Sequence, residues 1–243
     1  MKKIMVGMFL LLFVSIAGCS HSPSSLFGSH AVIDWIDFIK LNGHSYEGIY
    51  TGALSDPTLV GKEIGTVKFK VDDNVTNPNY KTKDGDAAFL EKGTKIFEVK
   101  GDPNLVVVKD KDEIGGYRVY YRDKGKYAYH FKDLNQSKIE KIQIYEEHYG
   151  STKLDHQLLS TLTDPSEIIA FLELINQGVK NDNFQHDPTL PGQRDFAIVL
   201  YTNGAVAYRN NIFYNGKDYG WAPWSQEVLP ESIAGFLNAK HVK

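Results

Sequence analysis

The chain has 243 residues and a single cysteine, Cys19. No disulfide can therefore form within it, and the folded state has to be stabilised by packing alone. A chain of this length can bury a core of its own, either as one large domain or as two small ones. Its 14 tyrosines and 13 phenylalanines favour strands, because large rings fit the pleated surface of a sheet. The sequence predicts a strand-rich globular protein.

The N-terminal segment is typical of an export signal. Lys2 and Lys3 precede an apolar run over residues 4–17, and small residues follow just before Cys19. The run is about fourteen residues long, whereas a helix that spans the hydrocarbon core of a bilayer needs about twenty. A transmembrane anchor is the alternative, but the length and the small residues favour a signal peptide over residues 1–18.

The string Ser15-Ile16-Ala17-Gly18-Cys19 resembles the lipobox of bacterial lipoproteins. The resemblance implies cleavage before Cys19 and a diacylglyceryl thioether on its sulfur. Two or more acyl chains give stable membrane attachment, whereas one chain gives only marginal binding. The lipid attachment site is therefore Cys19, the partner is membrane lipid, and the location is the extracytoplasmic face of the cell membrane.

The charge of the chain excludes a broad class of partners. The formal net charge is −3, and removal of residues 1–18, which contain two lysines and no acid, would make it −5. A nucleic-acid partner is not expected, because such proteins carry a basic stripe. Residues 19–30 are mostly Ser, His, Pro and Gly, and they bury too little apolar surface to fold alone. We interpret them as a tether.

The fold class predicted for the rest is α+β, with a β-rich domain over residues 31–150 built from hairpins. Asn42-Gly43 suits the tight turn of a hairpin over residues 35–49, although a short helix that ends at Gly43 is an alternative. One helical turn is expected at residues 86–90. Strands are expected at residues 65–71, 95–99, 105–109, 117–122, 126–131 and 139–145.

A small α+β domain is predicted over residues 151–243, with the boundary in the segment between Tyr149 and Asp164. Asp164-Pro165-Ser166-Glu167 is a strong helix start, and an apolar stripe at helical spacing follows it. The stripe consists of Ile168, Ile169, Phe171, Leu172 and Ile175. Two hairpins come next, over residues 196–209 and 212–221, and a last helix runs to Leu237.

No metal, cofactor or catalytic residue is predicted. The candidate ligands for a metal show none of the known metal-binding spacings, and they are His44, Glu47, His130, His148, His156 and His186. In Glu146-Glu147-His148 the outer two share one face of a strand, and a solvated strand end is the favoured interpretation. Asp72-Asp73-Asn74 and Asp84-Gly85-Asp86 supply oxygen ligands without the EF-hand order, so ordinary turns are favoured over calcium.

Nucleophile motifs are absent from the sequence. It contains no Gly-x-Ser-x-Gly string and no Ser-x-x-Lys string. Aromatic residues cluster in two regions and fit either a core, which is favoured, or an exposed surface that stacks on sugars or peptide. They are Tyr117, Tyr120, Tyr121, Tyr127, Tyr129 and Phe131 in the first region, and Trp221 and Trp224 in the second.

Residues 64–71, 84–94 and 96–101 are similar to a segment of uncharacterised surface lipoproteins from Bacillus-like Gram-positive bacteria. Residues 164–237 look like the small α+β domains common in the same lipoproteins. The resemblance implies a surface-anchored, non-catalytic protein, and it transfers no active site.

Three functions follow as hypotheses. The first is a non-catalytic binding or accessory lipoprotein with a protein or cell-wall partner, and the second is an extracytoplasmic sensor that works through a signalling membrane protein. The third is an enzyme that acts on cell-wall polymer or peptide through Asp72, Asp73, Asp84 and Asp86. A deep pocket with convergent, perturbed acids would favour the enzyme, and a flat aromatic or charged face without a pocket would favour the other two.

Overall fold

The computed structural model describes residues 33–122, 131–150, 153–221 and 226–238. The predicted signal peptide, Cys19 and the tether lie outside these ranges, as do Tyr127, Tyr129, His130 and Trp224. Asp34–Val75 and the described residues from Asn79 onward belong to one compact unit. The architecture below is that of this unit.

The unit is β-rich, as predicted, and its strands form two sheets. The first sheet has the order β4-β7-β8-β9-β2-β1-β6-β5, and all its pairs are antiparallel except β5 with β6. Its strands are β1 (Phe38–Leu41), β2 (His44–Gly48), β4 (Val60–Thr66), β5 (Phe69–Lys70), β6 (Asp86–Ala87), β7 (Lys95–Val99), β8 (Asp102–Lys109) and β9 (Tyr117–Tyr121). β3 (Gly52–Leu54) falls among them in sequence but joins the second sheet.

The first hairpin forms where the sequence predicts it. Asn42 and Gly43 both have positive φ, 51° and 76°, as a type I′ turn requires. The Asp84 carboxylate accepts the Gly43 amide at 2.8 Å and holds the turn against a distant loop. The alternative of a short helix that ends at Gly43 is wrong.

Two local predictions in the first sheet are wrong. Residues 65–71 do not form one strand, because β4 ends at Thr66 and β5 covers only Phe69–Lys70. Residues 86–90 begin with strand β6 rather than a helical turn. Asp86 is buried there, and its carboxylate accepts the Tyr80 hydroxyl and the Lys83 amide, so that β6 fits between β1 and β5.

The second sheet has the order β11-β10-β13-β14-β15-β16-β12, and β3 also pairs with β14. Its strands are β10 (Lys141–Tyr149), β11 (Leu154–Leu162), β12 (Val179–Lys180), β13 (Arg194–Tyr201), β14 (Val206–Tyr214), β15 (Tyr219–Trp221) and β16 (Glu227–Leu229). The two predicted hairpins are one meander, since β14 continues from the first hairpin into the second.

Strand β10 lies in the second sheet, although the sequence places it at the end of the domain over residues 31–150. It pairs with β11 on one side and β13 on the other. The predicted boundary segment between Tyr149 and Asp164 contains the nine-residue strand β11. Its pattern is hard to read because a bulge opposite Ile144 and Tyr145 interrupts the alternation, so that Leu159 and Ser160 are both buried.

Helix α1 (Pro165–Asn176) begins as predicted. Asp164 is the N-cap, and its carboxylate accepts the amides of Ser166 at 2.8 Å and Glu167 at 3.4 Å. The buried positions are Ile168, Phe171, Leu172 and Ile175. Ile169 is 57% exposed, so the apolar stripe is narrower than the sequence suggests.

We expect Asp164→Ala to lower the melting temperature by about 2–4 °C, because it removes one capping acceptor from an exposed helix end. Thermal unfolding followed by circular dichroism measures this. Asp164→Asn is the matched control, since asparagine caps equally well. Equal losses in the two variants would contradict the capping role.

Helix α1 packs on one face of the second sheet. The short turn Glu231–Ile233 and helix α2 (Ala234–Leu237) pack in the same core, where the rings of Phe171 and Phe236 meet edge to face at 5.3 Å. The sheet contributes alternate apolar residues from its three central strands: Ile142, Ile144, Phe196, Ile198, Leu200 and Ile212. The side chains on the opposite face of this sheet do not belong to this apolar core.

Candidate functional site

The face of the second sheet that points away from α1 is polar. Strand pairing sets Tyr145 beside Ala197 and Glu147 beside Asp195. It also sets Val199 beside Arg209. Since side chains alternate along a strand, this face also carries Gln143 and Tyr201 on β10 and β13, and Asn211 on β14. We call it the polar face.

A loop of the first sheet covers part of the polar face. The β8–β9 connection contains a short turn, Ile114–Gly116, and buries Ile114 in a cluster with small residues of the second sheet. That cluster consists of Ala53, Ile114, Ala197, Val199, Tyr201 and Ala207. Small side chains at the centre of the face leave room for the loop.

Arg209 joins this loop to the polar face. Its guanidinium contacts Glu113 Oε2 of the loop at 2.6 Å and Glu147 Oε1 of β10 at 2.8 Å. Asn211 Nδ2 donates to the second oxygen of Glu147 at 2.6 Å. The side chain of Glu147 is only 1% exposed, so these contacts replace its hydration.

The ion pairs continue into the first sheet through Arg118. Its guanidinium lies 2.9 Å from Asp110 Oδ2, 3.3 Å from Glu113 Oε1 and 3.6 Å from Asp37 Oδ2. Tyr120 donates to the other oxygen of Asp37 at 3.2 Å. Burial raises the pKa of Asp37 and of Glu113, despite the nearby arginines. We call the whole set the buried charge network.

His156 closes the buried charge network on β11. Its Nδ1 lies 3.2 Å from Glu147 Oε1, and its Nε2 lies 2.9 Å from the Asp112 carbonyl oxygen. Both ring nitrogens face acceptors, so the doubly protonated ring suits the site. Burial alone would lower the pKa of His156, but these two partners outweigh burial and raise it above the ordinary 6.5.

The stability that His156 contributes should fall as pH rises. A histidine whose pKa is raised on folding stabilises fully below its unfolded value of about 6.5 and loses that contribution as pH passes the folded value. Arg209 opposes the charge on His156, and Glu147 favours it. We expect His156→Gln to destabilise more at pH 5.5 than at pH 8.5 in urea unfolding. A cost that grows with pH, or a ring pKa below 6.5 by NMR, would contradict this.

A second histidine–carboxylate pair lies beside the first, because Asp195 faces Glu147 across the β10–β13 pair. His186 Nε2 is 2.7 Å from Asp195 Oδ1, and its ring lies 4.9 Å from that of Phe213. Burial raises the pKa of Asp195 in spite of hydrogen bonding with Tyr149. The structure shows no serine, threonine or cysteine hydrogen-bonded to His186 among the described residues, so the pair does not form a nucleophilic triad there.

A groove of about 740 Å³ lies next to the end of the polar face that carries Tyr201. It lies between the loop that follows β3, the β7–β8 turn and the β13–β14 turn, and we call it the groove. Its charged lining residues are Lys100, Lys141, Asp56, Asp102 and Glu140. Its uncharged polar lining residues are Ser55, Tyr201, Thr202 and Asn203.

A smaller recess of about 350 Å³ adjoins the groove and shares Ser55, Asp56, Lys141 and Tyr201 with it. Inside the recess, the phenols of Tyr201 and Tyr145 donate to the same acceptor, Gln143 Oε1, at 2.5 and 3.0 Å. Lys141 Nζ lies 3.8 Å from the centre of the Tyr201 ring. The side chains of the recess are therefore held in place before any ligand arrives.

The phenols of the recess are neutral hydrogen-bonding groups. Burial raises the pKa of both Tyr145 and Tyr201 above the ordinary value of 10.0. Neither is a base near neutral pH.

Of the four loop carboxylates proposed for an enzyme, three have other contacts and the fourth is exposed. Asp84 binds the Gly43 amide and Asp86 binds Tyr80 and Lys83, so both hold the backbone. Asp73 is exposed and pairs with Lys70 at 2.8 Å, and Asp72 is exposed. None of the four lines the groove or the recess.

The other sequence candidates fall in three environments. His44 and His148 are exposed, and Glu47 is half-buried. Of the aromatic residues, Tyr120, Tyr121, Phe131 and Trp221 are in the core, as the favoured interpretation predicts. Phe131 begins a 3-10 turn (Phe131–Asp133) rather than ending a strand, and the rest of the predicted strand over residues 126–131 lies outside the described residues.

The buried charge network is not predicted by the sequence. The interpretation of Glu146-Glu147-His148 as a solvated strand end is wrong for Glu147, since that residue is only 5% exposed. Glu146 lies on the opposite face and pairs with Arg194 at 2.7 Å. The partners of Glu147 come from distant parts of the chain, so no local spacing of residues indicates that Glu147 is buried.

Within the part of the chain that the structure describes, no group of three or more His, Cys, Asp or Glu side chains is arranged to hold a metal ion. No helix among those residues has the length and apolarity needed to cross a bilayer. No family model, curated protein sequence or solved structure matches this chain.

Proposed function

We propose that the protein is a non-catalytic binding or accessory lipoprotein that is anchored through Cys19 at the extracytoplasmic face of the cell membrane and binds its partner in the groove. The observation that carries the binding role is the recess, where two neutral phenols donate to Gln143 and Lys141 lies over the Tyr201 ring. Preorganised side chains lower the entropic cost of binding. An accessory or sensor role would use the same surface.

The proposed organisation has three parts. A signal peptide covers residues 1–18, a tether covers residues 19–30, and the folded part follows. Within the folded part, the first sheet forms a β-rich unit, and the second sheet with α1 and α2 forms a small α+β unit. The lipobox-like string and the resemblance to Gram-positive surface lipoproteins support the anchored location.

Binding is preferred to hydrolysis because of where the acids lie. Asp84 and Asp86, which the enzyme hypothesis needs, hold backbone amides instead. In the groove, the Asp56 carboxylate accepts the Thr58 amide, and Asp102 accepts the Asn104 amide. Hydrogen bonding to Thr58 lowers the pKa of Asp56, whereas a general acid needs a raised pKa.

We expect Cys19→Ser to move the protein out of the membrane fraction or to leave it as the uncleaved precursor, because serine cannot form the thioether. Fractionation and labelling with a fatty-acid analogue measure this. Ser20→Ala is the matched control and should keep both the label and the membrane location. Equal labelling of wild-type protein and Cys19→Ser would contradict the anchor.

Co-sedimentation with purified cell walls tests the binding role of the groove. The wild-type protein should sediment with the walls, and the double variant Lys141→Ala, Asn203→Ala should not, because both residues line the groove. Lys153→Ala is the control. It changes an exposed lysine just before β11, outside the groove, and should sediment like wild type. Sedimentation that is the same for all three proteins would overturn the groove as the binding site.

A further inference from the structure

The groove presents both donors and acceptors of hydrogen bonds, and three small residues also line it. These are Gly101 in the β7–β8 turn, and Gly204 and Ala205 in the β13–β14 turn. Around them stand hydroxyls, an amide, carboxylates and ammonium groups. Its volume of about 740 Å³ lies within the range of about 300–1,000 Å³ found for small-molecule sites.

The groove carries nearly equal numbers of acidic and basic side chains, and both lysines already have contacts within the protein. Three acids and two lysines line it. Lys100 Nζ donates to the Thr58 carbonyl at 2.9 Å, and Lys141 Nζ lies over the Tyr201 ring. An anionic polymer would meet more carboxylates than ammonium groups, and repulsion between like charges disfavours it.

The recess adds a donor to this set. Gln143 Oε1 accepts both phenols, which leaves the Gln143 amide nitrogen to donate two hydrogen bonds. A ligand group that both accepts and donates matches an amide beside phenols, and a sugar hydroxyl is such a group.

We infer that the groove and the adjoining recess together bind an uncharged polyhydroxylated ligand, a short run of neutral sugar units, with Gln143 of the recess and Asn203 of the groove as the specificity-determining amides. The inference rests on the proposed function, since it names the ligand class of the same site. It is independent of the lipid anchor.

Isothermal titration of the full-length protein in detergent tests this with two probes, the neutral tetramer of N-acetylglucosamine and anionic polyglutamate. We expect the tetramer to bind and polyglutamate not to bind. Gln143→Glu keeps an oxygen for the phenols but removes the amide donor, so it should weaken tetramer binding by about tenfold or more, since leaving a ligand hydroxyl without its hydrogen-bond partner costs about that much. Gln157→Glu, on the exposed edge strand, should leave binding unchanged.

The outcomes separate this inference from the proposed function. If the tetramer does not bind while cell-wall sedimentation still depends on Lys141 and Asn203, the groove is a binding site and the sugar inference is wrong. Tighter binding of polyglutamate than of the tetramer would also overturn it. Tetramer binding that is equal in wild type and Gln143→Glu would remove Gln143 from the site.

Discussion

Replacing Arg209 with alanine is expected to lower the free energy of unfolding by about 3–5 kcal/mol, because it leaves a buried carboxylate without its main cation. The Glu147 side chain is 1% exposed and Arg209 Nη2 lies 2.8 Å from it. Urea unfolding followed by tryptophan fluorescence measures the effect. The free energy of unfolding of Arg209→Lys should lie between those of the wild type and Arg209→Ala, since one ammonium cannot span Glu113 and Glu147 as a guanidinium does.

The matched control is Arg194→Ala on the same sheet. Arg194 pairs with Glu146 at 2.7 Å, but its side chain is 33% exposed and lies on the opposite face. Pairs of this kind contribute about 0–1 kcal/mol. If Arg209→Ala costs no more than Arg194→Ala, the buried charge network does not join the loop to the polar face energetically.

Replacing Phe171 with alanine is expected to cost about 3–5 kcal/mol, since the ring is fully buried and its removal leaves a cavity. The ring packs edge to face on Phe236 at 5.3 Å, so the loss also loosens α2. Chemical denaturation with circular dichroism gives the difference in unfolding free energy.

Ile169 supplies the control for Phe171 within the same helix. It is 57% exposed, and Ile169→Ala should change stability by about 0.5 kcal/mol or less, because it removes few buried contacts. A loss at Ile169 that matches the loss at Phe171 would mean that the helix presents another face to the sheet.

Local signals in the sequence were sufficient for some elements. Asn42-Gly43 determines its turn through two positive φ values, and Asp164-Pro165 begins its helix through a cap and a fixed φ. Strand β6 and edge strand β11 could not be found this way. β6 exists because Ala87 pairs with Ile39 across 48 residues, and β11 because it completes the edge beside β10.

The burial of the polar face could not be predicted from the sequence, and the reason is physical. Polar residues at every second position of a strand normally indicate a solvent-exposed face. Here the β8–β9 loop covers that face, and Glu113 and Arg209 are 96 positions apart in the chain. The signal for burial is a charge of opposite sign on a distant element, which periodicity does not report. The groove depends on the same distant packing and was missed for the same reason.

The pairing of β3 with β14 and of β10 with β13 determines which fragments of the protein can fold when they are expressed alone. A fragment that begins at residue 151 would lose both β3 and β10, so β13 would gain a bare edge and β14 would lose a partner. Unpaired strand edges are templates for aggregation. The halves should therefore be expressed together, and exchange of backbone amide hydrogens in β13 should depend on the presence of the N-terminal half.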